Sequence, residues 1–218
     1  VIVVAVGAIS GAHVNPAVTF GLWAARKLKT VLVPFYWGAQ FLGAMLAVIL
    51  TNAIAHNSIS FSFGNFAQMD WSIFGVELVG TAVFLFGLAA AVTREQLSVG
   101  ARALGVGMAL TVGILSSSYL LSAAKTQAVA DYQEAAQSTT STDEVEIPYL
   151  AHVKGASLNP AVALAMTDYT DGELTSSTAA EGEVNNSRFT LESILGALIG
   201  AALGGNLYLL IAGRQKEK

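Results

Sequence analysis

The stretch GAHVNPAVTFG, residues 11–21, sets Asn15 and Pro16 in apolar sequence, and GASLNPAVALA, residues 155–165, writes the same Asn-Pro-Ala-Val string again at 159–162. Asparagine is among the best helix N-caps, and proline suits the first helical position, where its N–H would have had no partner. Each copy therefore predicts a helix start. From Pro16 the run PAVTFGLWAA is ten residues long, ~15 Å of helix, about half of a ~30 Å hydrocarbon core. From Pro160 the run PAVALAMT is similarly short before polar residues begin. Neither can span a bilayer. Non-helical backbone at membrane depth is tolerated only where it is buried in protein or lines a water-filled path. Two capped half-helices in apolar sequence thus predict a polar path through a helical bundle.

The rest of the chain supplies the bundle. Of its 218 residues 54% are hydrophobic and only 12% charged, with a mean hydropathy of +0.58, where soluble domains carry about 25% charged residues. Four apolar segments, at about 31–55, 71–92, 101–121 and 191–211, reach the ~20 residues that a crossing requires. A fifth, residues 1–9, reads as the end of a helix. Arg26, Lys27 and Lys29 precede the first full span, Arg94 and Arg102 lie between the second and third, and Arg214, Lys216 and Lys218 follow the last. By the positive-inside bias these connections are cytoplasmic and the other two face outward. The first half-helix then leads to a cytoplasmic connection and the second to an external one, so they enter from opposite faces and meet near the midplane, the pattern of an inverted repeat with broken helices.

Gly196, Gly200 and Gly204 in the last span, and Gly105, Ala109 and Gly113 in the third, recur every fourth residue. Small residues at that spacing let helix backbones approach closely in lipid. Eleven of the fifteen acidic residues lie between Asp131 and Glu192. Two polar external insertions, about 122–154 and 168–188, are therefore expected to be solvated, the first partly helical at AVADYQEAAQ. The absence of cysteine excludes disulfides and thiol chemistry. His13, His56 and His152 lack metal-ligand spacing, and no cofactor, metal or nucleic-acid partner is expected.

SGAHVNPAVTFG (10–21), GAQFLGAML (38–46), GVELVGTAVFLF (75–86), LGVGMALTVG (104–113), GASLNPAV (155–162) and LGALIGAALGGNLY (195–208) together resemble the aquaporin and aquaglyceroporin family of channels. The resemblance implies an all-α membrane protein: a right-handed bundle of six tilted helices and two re-entrant half-helices, a pore in each protomer and usually a homotetramer. It implies one channel domain over 1–218, with 1–55 the remainder of the first repeat and 71–213 the second. The first helix and most of the second, about 35–40 residues at typical span lengths, are then expected to lie outside this sequence. The plasma or bacterial inner membrane is the default location.

The resemblance also assigns residues. Asn15, Pro16 and Ala17, with Asn159, Pro160 and Ala161, form the two boxes of a pore for water and small neutral solutes. Glu77, a charge within a span, is expected to accept hydrogen bonds from the re-entrant loop backbone, and His13 to hold its loop, either as a pore-lining or simply as a structural histidine. Directly after the second box the family typically has an arginine that narrows the external filter, whereas this chain has Val162. With Ile114 on the third full span and Ala156 in the loop, the expected filter is apolar and uncharged, favouring glycerol, urea or ammonia-like solutes over strict water selectivity. The alternatives are a non-conducting structural or adhesion member of the family, or a secondary transporter. The transporter is disfavoured because Glu77 is read as the only ionisable residue inside the bundle.

Overall fold

The computed structural model describes residues 1–55, 62–138, 146–175 and 186–216. His56, Lys218 and part of the acid-rich sequence (139–145, 176–185) lie outside the described residues. The described chain is helical: α1 (Ile2–Ser10), α2 (Pro16–Ala24), α3 (Val33–Ala55, entered through a 3-10 turn at Thr30–Leu32), α4 (Trp71–Val92), α5 (Val99–Ser138), α6 (Tyr149–His152), α7 (Pro160–Ala165), α8 (Asp171–Thr175) and α9 (Leu191–Lys216). Four helices, Thr30–Ala55, Trp71–Val92, Val99–Ser138 and Leu191–Gly213, are long and apolar enough to cross a membrane.

Helix α4 is the axis of the bundle. It begins where the Asp70 side chain accepts the N–H groups of Ser72 (2.8 Å) and Ile73 (3.0 Å), satisfying two of the donors that a helix start leaves unpaired. Ten of its residues, from Ile73 to Ala91, are buried. α9 and α5 pack along it through the two small-residue stripes. A Cβ at Gly196, Gly200 or Gly204 would lie 2.7, 2.3 or 2.0 Å from the carbonyl oxygens of Phe74, Leu78 and Ala82 respectively. On the α5 side, a Cβ at Gly105 would lie 2.9 Å from the Ala91 methyl and one at Gly113 would lie 2.7 Å from the Gly80 carbonyl. Backbone-to-backbone approach of this kind is how helices associate where lipid removes the hydrophobic drive. Replacing Gly204 by alanine is accordingly expected to destabilise the bundle by about 1–3 kcal/mol through overpacking. A lowered midpoint of thermal unfolding in detergent, followed by circular dichroism, is the check; an unchanged midpoint would count against this register of α9 on α4.

The first half-helix is clasped in the same core. Ala17 and Val18 of α2 pack with Phe84, Leu85 and Leu88 of α4 and with Ala197 and Ala201 of α9. A second apolar cluster, Ile73, Val76, Leu121, Leu150 and Val153, joins α6 to the start of α4 and the middle of α5.

The helix expected at AVADYQEAAQ is present, while the edges of both insertions differ from expectation. The first does not leave the bundle at residue 122: α5 runs on to Ser138 as one helix of 40 residues, ~60 Å long at 1.5 Å per residue. The reason is local. No glycine or proline occurs between Gly113 and Pro148, and the alanines, glutamines, glutamate and lysine after residue 122 are good helix formers. Ala124 and Ala128 pack on the cluster beneath α6, so the start of the extension is part of the core. The second insertion is not a solvated loop at its ends. Asp168, Ser187 and Arg188 are all buried, because residues 186–188 run back beside 166–168. The Arg188 N–H donates to Met166 O and the Asp168 N–H to Asn186 O, each at 2.9 Å.

Candidate functional site

The two Asn-Pro-Ala strings face each other. Asn15 and Asn159 both have extended backbone (φ −148° and −154°) and precede a helix whose first residue is proline. The Asn15 Oδ1 accepts the Ala17 N–H at 2.7 Å, and the Asn159 Oδ1 accepts the N–H groups of Ala161 (3.0 Å) and Val162 (3.4 Å). The amide nitrogens then cross over. Asn15 Nδ2 donates to Leu158 O (2.9 Å), the carbonyl just before the second box, and Asn159 Nδ2 donates to Val14 O (3.2 Å), the carbonyl just before the first. The arrangement is reciprocal, each side chain capping its own helix and tying down the other loop. α2 has nine residues and α7 six, or ~13 and ~9 Å, so both are far shorter than a membrane crossing.

An open cavity of about 780 Å³ reaches this junction. Its walls are α3, the end of α1 with the loop residues His13 and Val14, and the face of α7 carrying Asn159, Ala161, Val162, Ala165 and Met166. Asn159 stands on the wall, whereas Asn15 is buried and absent from it. Side chains of α3 hold the first loop. Tyr36 donates to Ser10 O (2.8 Å), Trp37 to Pro16 O (3.1 Å), and Gln40 to the His13 carbonyl and to Thr19 Oγ1 (3.0 Å). The His13 ring stacks on Tyr36 with centroids 4.7 Å apart, and its Nδ1 is buried with no hydrogen-bond partner among the described residues. Packing and its carbonyl therefore hold His13.

Glu77 holds the second loop. It is fully buried; its Oε1 accepts the Ser157 N–H (2.7 Å) and hydroxyl (3.1 Å), and its Oε2 the Leu158 N–H (2.8 Å). The three residues expected to form a filter are not brought together on one wall. Val162 is 42% exposed and faces the cavity. Ala156 packs against the apolar cluster under α6, and Ile114 stands exposed on α5, off the cavity wall. The filter assignment followed sequence position, which fixes a place along each segment but not the wall it faces.

The reading of Glu77 as the sole ionisable residue in the bundle is overturned. Arg188, Asp168 and Glu192 are buried beside it. The guanidinium lies 4.0 Å from Glu77 Oε1, 3.8 Å from Asp168 Oδ1 and 3.7 Å from Glu192 Oε1, with Thr190 Oγ1 accepting at 3.4 Å and the Tyr149 hydroxyl at 3.5 Å. The Tyr149 hydroxyl in turn donates to Asp168 Oδ2 at 3.2 Å. Burial raises the Asp168 carboxyl from its ordinary range, opposed by Arg188. Burial, and then the Asp168 charge, raise the Tyr149 phenol, which stays a protonated donor. The cluster draws on four separated stretches of sequence. The one local signal was Arg188 four residues before Glu192, a helical ion-pair spacing at the entrance to an apolar span. Further out, His152 pairs with Asp171 (2.6 Å) and Lys154 with Glu173 (3.9 Å), tying α6 to α8.

A family model described as Major intrinsic protein matches residues 1–130. Aquaporin NIP2-2 of Zea mays is 37% identical over 113 residues, which are 51% of this chain and 38% of the relative. Aquaporin NIP2-1 of Oryza sativa subsp. japonica gives the same identity and shares. Aquaporin Z of Photorhabdus laumondii is 33% identical over 146 residues, 59% of this chain and 63% of the relative. The chain thus spans less than half the length of these plant relatives and under two thirds of the bacterial one.

Proposed function

Because the chain belongs to the major intrinsic protein family, as an integral multi-pass membrane protein, we propose that it conducts water and small neutral solutes passively between the two facing half-helices. The observation that carries this reading is the reciprocal crossing of the Asn15 and Asn159 amides at the foot of the cavity. It directs two helix N-termini, each equivalent to about half a positive charge, toward one point. A cation or hydronium is disfavoured there, while a neutral hydrogen-bonding solute is not, which is the mechanism known for aquaporin-type pores. In this reading 1–55 and 71–213 are the two inverted halves and the protein assembles as a homotetramer, each copy with its own pore. The activity requires no cofactor.

The solute range follows from the outer wall. Val162 carries no charge, and Arg188, buried among three carboxylates, lies off the cavity and does not replace the missing guanidinium. A pore without a fixed outer cation and its bulk admits glycerol, urea or ammonia-like solutes alongside water. The full-length protein in liposomes is expected to speed shrinkage in sucrose and re-swelling in glycerol or urea. If neither water nor any solute moves faster than through empty vesicles, the non-conducting reading replaces this one. Introducing a guanidinium by Val162→Arg is expected to lower glycerol flux about tenfold, by bulk and polarity at the constriction, with water flux retained. An unchanged glycerol-to-water ratio would remove Val162 from the filter.

A further inference from the structure

We infer that Arg188 is a positioning residue for the pore: its guanidinium keeps Glu77 in the form that fixes the second re-entrant loop, and through Leu158 this loop fixes the first box. The inference rests on the channel reading above. Leu158 is the link. It sits at φ 49°, in the left-handed region that leucine rarely adopts, with its side chain fully buried. It is held there from both sides, its N–H donating to Glu77 Oε2 (2.8 Å) and its carbonyl accepting Asn15 Nδ2 (2.9 Å).

Glu77 meets a donor on each oxygen, Ser157 N–H on one and Leu158 N–H on the other. An ionised carboxylate accepts at both, whereas a protonated one turns one oxygen into a donor. A carboxylate removed from water needs a cation close by to remain ionised. Among the described residues the guanidinium of Arg188, 4.0 Å from Oε1, meets that need. Asp168 after α7 and Glu192 on α9 draw on the same guanidinium, while the bases Lys125 and His152 act on Asp168. Neither of those bases pairs with Glu77, so loss of the guanidinium leaves Glu77 without an ion-pair partner among the described residues. The planar fork of arginine reaches all three carboxylates at once, because Arg188 lies beside Met166 at the end of α7 and one turn before Glu192.

The test compares water and glycerol flux through the full-length protein in liposomes for Arg188→Met, Arg188→Lys, Glu77→Gln and the Arg188→Met/Glu77→Gln pair, each scaled to the amount of folded protein inserted. Wild-type flux must first exceed that of empty vesicles; if it does not, the channel reading fails and not this one. Given flux, Arg188→Met is expected to lower it about tenfold by letting the loop shift. Arg188→Lys is expected to recover part of the loss, since it restores a cation near Glu77 but not the fork to Asp168 and Glu192, and the double variant to conduct no less than Glu77→Gln alone. Wild-type flux in Arg188→Met would overturn the inference, as would a lysine variant as impaired as the methionine one, or full additivity in the double variant. Should Arg188→Met not fold, Arg188→Gln, polar but uncharged, takes its place in the same comparison.

Discussion

Alanine in place of Glu77 is expected to destabilise the bundle by about 3–5 kcal/mol, chiefly because three donors of the second loop lose their acceptor. The estimate follows from what the carboxylate touches. Its removal leaves the N–H groups of Ser157 and Leu158 and the Ser157 hydroxyl without their acceptor, and a buried donor left unpaired costs about 1–3 kcal/mol. It also takes one of three carboxylates from Arg188, which is itself buried. Relaxation of the loop and entry of water recover part of the sum, so the total falls below simple addition. Glutamine costs less, because its carbonyl still accepts one loop N–H while its amide nitrogen confronts the other. Thermal unfolding in detergent should therefore rank the proteins wild type, then Glu77→Gln, then Glu77→Ala. An alanine variant that melts with the wild type would mean that the loop does not depend on this carboxylate.

What could be read from sequence divides by the distance over which each signal acts. The half-helix starts were legible because Asn-Pro acts within a single turn: the capping bonds reach two or three residues ahead. The packing of α9 and α5 on α4 was legible because Gly196, Gly200 and Gly204 announce one helix face by their spacing alone. The length of α5 was not. The apolar run ends near Leu121, whereas the helix continues to Ser138, past a further turn that also packs on the cluster of Leu150 and Val153. Arg188 was least legible. Read locally it belongs to a polar, acid-rich loop, and it becomes a core residue only because α4, the exit of α7 and the first turn of α9 deliver carboxylates to one place. Of the residues expected at the filter, Ile114, Ala156 and Val162, Val162 lines the cavity, because a place along a segment does not say which wall its side chain faces.

Aspartate at either box separates what the asparagines do for the helices from what they do for the path. Aspartate caps a helix as well as asparagine does, so the bonds from Ala17 or from Ala161 and Val162 survive the change. The crossing bond does not, because a carboxylate is an acceptor and meets the Leu158 or Val14 carbonyl with no proton between them. The two sites then diverge by exposure. Asn15 is 5% exposed and off the cavity wall, so Asn15→Asp is expected to act on stability, losing about 1–3 kcal/mol as Leu158 O loses its donor. Asn159 stands on the wall, so Asn159→Asp sets a full negative charge against two N-terminal ends that together amount to about one positive charge. At ~4 Å and an effective dielectric of ~20 a single charge is worth about 4 kcal/mol to a monovalent cation. Potassium efflux through Asn159→Asp proteoliposomes is therefore expected to rise at least about tenfold over wild type, since 1.4 kcal/mol already gives that factor, while water flux persists. Asn15→Asp should melt earlier and leak little. Equal leaks from the two variants, or none from Asn159→Asp at preserved water flux, would mean that cation exclusion is not set where the half-helices meet.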